Sequence, residues 1–172
     1  MTPANPIISE FLGLCKQKKY EICTSETVRG EATTRFYPIV NRYFDRVGIR
    51  AFPVRKYIYS KFRARLLDLL NKSCDVKTVN ADATKARTMY QDFSKDPELF
   101  KRLRALQVKY NRDSIFPSDN DVQILADADK LGQKYDVRFI TDDHHFLDFK
   151  DEIEERLNVK LVGLLDLVHY QI

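Results

Sequence analysis

The sequence predicts an α/β fold, and three observations support this. Segments with the apolar spacing of helices alternate with short runs of β-branched and aromatic residues. The clearest of these runs, residues 137–141, directly follows a helical pattern, as a buried strand of a parallel sheet does. It leads into two carboxylates and two imidazoles: Asp142, Asp143, His144 and His145. Because ligands bind at the carboxyl ends of parallel strands, we expect the functional site at this edge.

Length and composition limit the class of protein. The chain has 172 residues, of which 44% are hydrophobic and 31% charged, as in a single globular domain. No apolar run approaches the roughly 20 residues that cross a bilayer, and no signal-peptide pattern opens the chain. The three cysteines are widely spaced, without a CxxC pattern. We therefore expect a cytoplasmic protein in a reducing compartment, with no membrane partner.

The first part of the chain predicts a helix, a strand and a second helix. Residues 6–18 have apolar side chains at helical spacing, with a proline in the first turn, where it is tolerated. Residues 20–24 have the composition of a short strand. Ser25 is a suitable N-cap for a helix that continues towards Phe36. Pro38 predicts a break or the first turn of another helix.

Residues 38–112 are predicted to be a largely helical insertion within one domain that spans residues 1–172. Helical patterns cover residues 54–70, 81–93 and 97–110, and strand signal is scarce throughout the segment. The chain has no internal repeat, no low-complexity tract and no linker long enough to divide domains. The insertion is therefore expected to pack onto the same domain.

The last part predicts a helix, the strand at residues 137–141, another helix and a final strand. Asp119 or Asn120 is the expected N-cap of the first helix, which ends near Gly132. Residues 150–157 have a helical pattern, and residues 159–163 have the composition of a strand. This order of elements is that of an α/β sandwich.

Three acids share one predicted location. Asp143 follows the strand at residues 137–141, and Asp121 lies in the first turn of the helix before it. Glu31 lies about two turns into the helix after the strand at residues 20–24. If the two strands are parallel neighbours, the three carboxylates meet at one edge. Converging carboxylates repel one another, and Mg²⁺ or Mn²⁺ removes that penalty because hard cations prefer oxygen ligands.

Each acid also has an interpretation without function. Asp121 is an ordinary residue for the first turn of a helix, where the macrodipole favours it. Glu31 on an exposed helix face is ordinarily solvated. Residues 141–143 equally suit a plain turn in which Asp142 caps the next segment. The shared location of the acids, rather than any single acid, favours a site.

Two blocks of the sequence resemble the PIN-domain nuclease family. The segment that begins at Asp121 with Asp-Val-Gln-Ile-Leu-Ala-Asp-Ala, followed at residues 137–146 by Val-Arg-Phe-Ile-Thr-Asp-Asp-His-His-Phe, is similar to that family's second half. There, an Asp opens a small-and-aliphatic helix, and the next strand ends in Thr-x-Asp. Residues 20–31 are similar to its earlier strand, Ser and acid-bearing helix. The resemblance covers residues 6–35 and 117–162, and it implies a three-layer sandwich around a central parallel sheet.

The resemblance implies a divalent-metal-dependent endoribonuclease. Glu31, Asp121 and Asp143 would be its catalytic metal ligands for Mg²⁺ or Mn²⁺, with Asp142 as a neighbour or substitute. His145 stands where many family members carry another acid. The resemblance also implies two kinds of protein partner, a second copy of the chain and an inhibitory protein.

One departure separates this chain from the family pattern. PIN domains normally begin with a strand that ends in an Asp ligand, whereas this sequence opens with Met-Thr-Pro-Ala-Asn-Pro. We expect either a gene product that starts upstream or a protein that lacks this strand and its acid. The alternative function is therefore a catalytically impaired PIN-like protein that serves as a nucleic-acid-binding or assembly module.

Charge is distributed unevenly along the chain. Residues 42–65 carry eight cations and one acid, with several aromatic side chains between them, whereas acids outnumber cations in residues 113–155. Cations neutralise phosphates, and exposed aromatic rings stack on unpaired bases. We expect single-stranded RNA as the partner, with Arg55, Lys56 and Arg63 contacting its backbone. The alternative is a helical lid whose aromatic residues are core and whose cations are solvated.

Overall fold

Helices make up most of the chain, and the four described strands are short and pair in parallel. The computed structural model describes residues 6–72, 75–79, 81–164 and 166–167. These residues form two compact units. The hairpin unit is Glu21–Thr78, and the core unit holds the described residues up to Tyr20 and from Val79 onwards. The predicted mixture of helices and parallel strands is confirmed. The single domain with an insertion at residues 38–112 stays a prediction.

Most elements lie where the apolar pattern predicts them. In chain order they are α1 (Pro6–Lys18), β1 (Cys23–Ser25), α2 (Glu26–Arg46), α3 (Phe52–Lys72), β2 (Asp75–Lys77), α4 (Thr84–Phe93), α5 (Pro97–Lys109), α6 (Asp119–Gly132), β3 (Arg138–Thr141), α7 (His144–Leu147), α8 (Lys150–Arg156) and β4 (Lys160–Gly163). The bounds of α1, α5, α8, β3 and β4 agree with prediction to within one residue. The strand predicted at residues 20–24 is shorter and ends one residue later.

The hairpin unit joins two long helices to one two-stranded parallel sheet. Strands β1 and β2 pair with Cys23 opposite Asp75 and Ser25 opposite Lys77. Ser25 is the N-cap of α2, as predicted, and its hydroxyl accepts a hydrogen bond from the backbone N–H of Val28. The scarcity of strand signal in residues 38–112 was misleading, because β2 lies within that segment. Its sequence, Asp-Val-Lys, has one apolar residue and no alternation to read.

The prediction of a break at Pro38 is wrong, because Pro38 lies inside α2. Proline removes one helical hydrogen bond, at a cost of about 3 kcal/mol. Aromatic packing against α3 occurs on both sides of the proline. Before it, the rings of Phe36 and Tyr59 are 5.5 Å apart, and after it those of Tyr43 and Phe62 are 6.4 Å apart. These contacts hold α2 continuous through Pro38.

The core unit has a large apolar core around the second parallel sheet. Strands β3 and β4 pair with Arg138 opposite Lys160 and Thr141 opposite Gly163. Side chains from helices α4 to α8, from the residue between α7 and α8 and from β4 form this core; the most deeply buried are Phe93, Leu103, Leu125, Phe149, Ile153 and Leu161. A smaller cluster places Leu14 of α1 with Val162 of β4. The carboxyl end of β3 is thereby held between packed helices.

The prediction that Asp119 or Asn120 caps α6 is wrong, because Ser118 is the N-cap. The Ser118 hydroxyl accepts from the backbone N–H of Asp121 at 3.2 Å. In return, Asp121 Oδ2 accepts from the Ser118 backbone N–H at 3.0 Å and from its hydroxyl at 2.8 Å. This reciprocal capping box requires an acceptor side chain at the third helical position, and Asp121 provides it when Ser118 is the N-cap. The helix ends at Gly132, as predicted.

The end of α6 is fixed against the segment before β4. Gly132 lies so close to the Asn158 carbonyl that an added Cβ would be 1.5 Å from its oxygen. One turn earlier, Asp129 Oδ1 accepts hydrogen bonds from the backbone N–H and the side-chain amide of Asn158, at 2.7 and 2.8 Å. Lys85 from α4 also donates to Asp129. These contacts set where β4 begins, and therefore how it pairs with β3.

Two sequence-based expectations concern membranes and cysteines. No helix in the described parts of the chain combines the length and apolarity needed to cross a membrane. Cys15 is buried and Cys23 is exposed, and both are free thiols. Cys74, like His169, lies outside the described residues.

Candidate active site

The candidate site begins where β3 ends. The Asp143 backbone N–H donates to the Thr141 hydroxyl at 3.0 Å, which closes a tight turn. Asp143 Oδ1 then accepts from the His145 backbone N–H at 2.8 Å, so that Asp143 is the N-cap of α7. The prediction that Asp142 caps the next segment is wrong. Asp142 is exposed, and its Oδ1 accepts from the backbone N–H of Leu164 at 3.1 Å. The turn therefore aims the two neighbouring carboxylates differently.

A cation not singled out by the sequence reaches Asp143. Arg112, which follows the end of α5, has its Nη2 atom 3.7 Å from Asp143 Oδ1. Its Nη1 donates to Nδ1 of His145. Because a guanidinium has only donors, the ring nitrogen that it contacts is the acceptor. Arg112 therefore links the buried ring to the partly exposed carboxylate.

His145 is the most deeply buried titratable group of this cluster. Its side chain is only 1% exposed, and burial followed by the charge of Arg112 lowers its pKa, against the opposing effects of Asp143, Asp121 and Asp148. A histidine in such a stretch is ordinarily a loop residue or a minor packing group, and the burial of His145 within α7 agrees with the second interpretation. It is a neutral packing group that fixes Arg112, and this burial could not be read from its position between another histidine and a phenylalanine.

Tyr90 is hydrogen-bonded to the backbone of α7. Its hydroxyl donates to the backbone carbonyl of His145 at 2.7 Å. Burial raises the pKa of the Tyr90 phenol, and the charges of Asp143 and then Asp121 raise it further. The phenol stays protonated at physiological pH and can keep donating. In the sequence, Tyr90 lies within the helix predicted at residues 81–93, and nothing there distinguishes it from an ordinary core residue.

Asp121 and Asp143 act on the same two groups. Both carboxylates raise the pKa of Tyr90, and both oppose the lowering of the His145 pKa. Electrostatic effects of this kind require that both acids lie near the same buried ring pair. The capping box holds Asp121 through its Oδ2 atom, and α7 holds Asp143 through its Oδ1 atom. The charges of Asp143 after β3 and of Asp121 in the first turn of α6 thus act on the same two buried groups, while the meeting of the two carboxylates stays a prediction.

Glu31 belongs to the hairpin unit, whereas Asp121 and Asp143 belong to the core unit. Within α2, Glu31 Oε1 lies 2.8 Å from Nε of Arg35, one turn along the helix. Its side chain is 16% exposed, so it is more enclosed than the solvated residue considered from sequence. The meeting of all three carboxylates stays a prediction.

The donor set of the core unit suits a hard cation. Among the described residues, no group of three or more His, Cys, Asp or Glu side chains is arranged to hold a metal ion. Mg²⁺, however, is commonly held by one or two carboxylates together with water and substrate phosphate. Asp121 and Asp143 supply two such carboxylates, all of whose donor atoms are oxygen. Their oxygen donors are of the type that Mg²⁺ and Mn²⁺ prefer, while a metal site at these two residues stays a prediction.

Two other buried acids of α6 are structural. Asp127 accepts from Gln123 Nε2 at 3.0 Å, and Asp129 accepts from Asn158 and Lys85. Burial alone would raise the pKa of Asp129, but hydrogen bonds from Asn158 and Lys85 outweigh burial and lower it. These acids belong to the packing of α6 and not to the site, although they add to the acidic balance of residues 113–155.

The predicted nucleic-acid contacts divide into two groups. Arg55 is used within the hairpin unit: its guanidinium donates to the Ile49 carbonyl and to Asp45, and it lies over the Phe44 ring. Lys56 and Arg63 are exposed on α3. Arg55 therefore shapes the turn between α2 and α3, while the other two cations face solvent.

The aromatic residues of the hairpin unit divide in the same way. Phe44 is buried, whereas four rings are well exposed: Tyr37, Tyr43, Phe52 and Tyr57. Phe52 is 74% exposed. At about 100° per helical residue, Phe52, Lys56 and Arg63 lie within roughly 40° of one another around α3. We call these three residues the α3 stripe. It combines one exposed ring with two exposed cations.

Comparisons with known proteins provide no relative. The chain matches no protein-family model, no curated protein and no solved structure. Inferences about function therefore rest on the residues of this chain and on their contacts.

Proposed function

We propose that this protein is a PIN-like endoribonuclease that depends on a divalent metal and cleaves single-stranded RNA. The observation that supports it best is the position of Asp143 directly after β3, where the His145 backbone N–H holds its Oδ1 and Arg112 Nη2 lies 3.7 Å from that oxygen. The charges of Asp121 and Asp143 also both act on Tyr90 and His145. The carboxyl end of β3 is the edge at which α/β proteins bind ligands. The proposal includes a three-layer sandwich, a cytoplasmic location and Glu31 as a third ligand.

In this proposal, Asp121 and Asp143 hold Mg²⁺ or Mn²⁺ together with an RNA phosphate. The bound metal would lower the pKa of a water molecule and polarise the phosphodiester. The chain contributes positioning. Ser118 fixes one oxygen of Asp121, and the His145 backbone N–H fixes one oxygen of Asp143.

Arg112 supplies a positive charge at the same place. A guanidinium binds phosphate oxygens through paired N–H donors. Because one face of Arg112 is used by His145 and another approaches Asp143, its position is set before substrate arrives. Arg112 would therefore orient the scissile phosphate beside Asp143 and balance part of its charge.

The deciding experiment compares isosteric substitutions of the two proposed ligands with the same substitution of a neighbouring acid in α6. Asp121→Asn removes a proposed ligand, and Asp119→Asn is the matched control, because Asp119 lies in the same first turn with its side chain 90% exposed. With Mn²⁺ or Mg²⁺ and a labelled single-stranded RNA, Asp121→Asn and Asp143→Asn should each lower cleavage by at least about 100-fold. Asp119→Asn should cleave normally. Equal cleavage by all three variants, from nuclease-free preparations, would reject the assignment.

A second candidate function is a nucleic-acid-binding module without turnover. It is favoured by the Arg112 guanidinium on Asp143, which already supplies a positive charge there, and by the α3 stripe. It predicts binding that weakens with salt and that falls in Lys56→Glu and Arg63→Glu. Lys134→Glu, an exposed lysine of the other unit, is the control. Metal-dependent cleavage that disappears in Asp143→Asn would exclude this alternative.

The protein partners are likewise proposed and not assigned to a surface. A second copy of the chain and an inhibitory protein both follow from the family resemblance. Light scattering over a range of protein concentrations tests the first, and a constant monomer mass would reject it.

A further inference from the structure

We propose that a groove between α5 and α7 binds the phosphate backbone of the nucleic-acid strand that enters the candidate active site. The groove lies wholly in the core unit, has a volume of about 470 Å³ and is lined by Arg102, Ala105, Leu106, Lys109 and Asp148. Its floor is apolar and its rim carries two cations and one acid. The proposal rests on the proposed function only in taking a polynucleotide as the ligand.

The charges of the lining residues are unequally satisfied. Arg102 is paired with Glu152 and lies over the Phe149 ring. Asp148 Oδ1 lies 3.0 Å from Nδ1 of His144. Lys109, in contrast, has no carboxylate within ion-pair distance among the described side chains. Its ammonium group is the charge on the rim that remains available to a phosphate.

The cations of the groove continue towards Asp143. Arg102 and Lys109 are seven residues apart on α5, which places them on one face about 10 Å apart along the axis. Arg112 follows beyond the end of the helix and reaches Asp143. The phosphates of a nucleic-acid strand repeat along its backbone and are neutralised by Lys and Arg. A row of cations that leads towards Asp143 is therefore complementary to such a backbone.

The ring of Tyr110 contacts two cations of this row. The ammonium group of Lys109 lies 5.1 Å from the Tyr110 ring centroid, and the guanidinium of Arg112 lies 5.6 Å from it. The ring also stacks on His144 of α7, at 5.4 Å between centroids. Two cations of the row are thus held on one aromatic ring that is itself fixed to the helix next to the site.

Binding, rather than cleavage, tests this inference. Affinity for a fluorescein-labelled oligouridine would be measured by anisotropy in EDTA, over a series of salt concentrations. Lys109→Ala should weaken binding several-fold and lower the slope of log affinity against log salt by about one. The matched control is Lys101→Ala, which removes the same charge from an exposed position on the same helix but outside the groove. Equal effects of the two substitutions would overturn the proposal.

A gain of affinity provides a second test that misfolding cannot imitate. Asp148→Asn removes the one acid among the described residues that line the groove and should tighten oligouridine binding by a few-fold. Unchanged or weaker binding would contradict the groove as the strand's path. Failure of the proposed nuclease is a separate result: strand binding that responds to Lys109 and Asp148 without any metal-dependent cleavage would support the groove and reject the enzyme.

Discussion

The guanidinium of Arg112 lies 3.7 Å from the Asp143 carboxylate while it donates to the buried ring of His145. A charged donor thus connects a solvent-facing acid to the interior of the core unit. This position of Arg112 has two consequences. It neutralises part of the charge that would attract a metal, and it gives His145 a hydrogen-bond partner that water cannot replace, because the ring is buried.

Removal of Arg112 should therefore separate metal affinity from stability. In Arg112→Ala, we expect Mn²⁺ to bind several-fold more tightly, because Asp143 loses a competing cation. We also expect a loss of about 1–3 kcal/mol in the free energy of unfolding, because His145 keeps an unpaired nitrogen in the interior. Titration calorimetry and urea unfolding measure the two effects.

Arg104→Ala is the control for this prediction, since Arg104 is an exposed arginine of α5 whose guanidinium contacts only Gln107 among the described side chains. It should change neither metal affinity nor stability by more than about 0.5 kcal/mol. Unchanged Mn²⁺ binding in Arg112→Ala would contradict the assignment of Asp143 as a metal ligand, and weaker binding would show that Arg112 is needed to hold Asp143 in place.

Asp129 should make the core unit sensitive to acid. Hydrogen bonds from Asn158 and Lys85 lower the pKa of Asp129 below its ordinary value despite burial. A carboxylate with a lowered folded-state pKa contributes stability that is fully present above the unfolded-state value of about 3.9 and is lost as the pH falls through the folded-state pKa. Urea unfolding at neutral pH and at about pH 3 measures this.

The substitution Asp129→Asn tests that assignment. It should cost about 1.5–3 kcal/mol at neutral pH, where hydrogen bonds to a charged group are lost. The difference from the unmodified chain should shrink at low pH, because both proteins then carry a neutral group. Asp136→Asn, which breaks the exposed ion pair with Lys160, should cost less than about 1 kcal/mol. A difference for Asp129 that did not vary with pH would contradict the ionic origin.

Gly132 and Gly13 form a matched pair of helical glycines with opposite expected effects. A Cβ at Gly132 would be 1.5 Å from the Asn158 backbone oxygen, whereas at Gly13 nothing lies within 4 Å. Gly132→Ala should therefore lower the free energy of unfolding by more than about 3 kcal/mol or prevent folding, because the backbone at Asn158 would have to move. Gly13→Ala in α1 should stabilise by about 0.5–1 kcal/mol. Thermal unfolding followed by circular dichroism compares them, and equal melting temperatures would contradict the close approach.

The accuracy of the sequence-based predictions depended on how much information each element carries locally. Strands β3 and β4 were predictable, because each short run contains adjacent residues of β-forming or apolar type: Phe139, Ile140 and Thr141 in β3, and Leu161 and Val162 in β4. Strand β2 was not, because three residues contain no period. Its place is set by pairing with β1, far away in sequence. The same distinction explains why helix bounds from apolar stripes were better than caps from single residues.

The places of Asp121 and Asp143 in the fold were predictable, whereas the contact of Arg112 with Asp143 was not; the role of the two acids stays a prediction. Asp121 and Asp143 follow from the rule that ligands gather at the carboxyl ends of strands, together with the order of α6 and β3. Arg112 follows from no rule, because it lies in an irregular segment after α5 and its direction depends on where α7 packs. Burial of His145 was hidden for the same reason, since four residues of α7 show no helical period.

Pro38 offers a test of whether tertiary packing holds α2 together. Because proline inside a helix lacks an N–H and its ring crowds the preceding turn, Pro38→Ala should stabilise the chain, by about 1–3 kcal/mol. Urea unfolding measures this gain. A loss of stability would show that Pro38 itself is required for the contacts of Phe36 and Tyr43 with α3.

Ser118 links helix stability to the candidate site. Its hydroxyl caps α6, and its two donors hold one oxygen of Asp121. Ser118→Ala should cost about 1 kcal/mol, the usual value for a lost N-cap. If Asp121 is a metal ligand, the same substitution should also lower cleavage and Mn²⁺ affinity by several-fold, because the carboxylate can then rotate. Ser25→Ala removes the N-cap of α2 and should cost a similar free energy while leaving Mn²⁺ binding at Asp121 unchanged. Equal losses of metal affinity in the two variants would mean that global stability, and not the position of Asp121, controls the site.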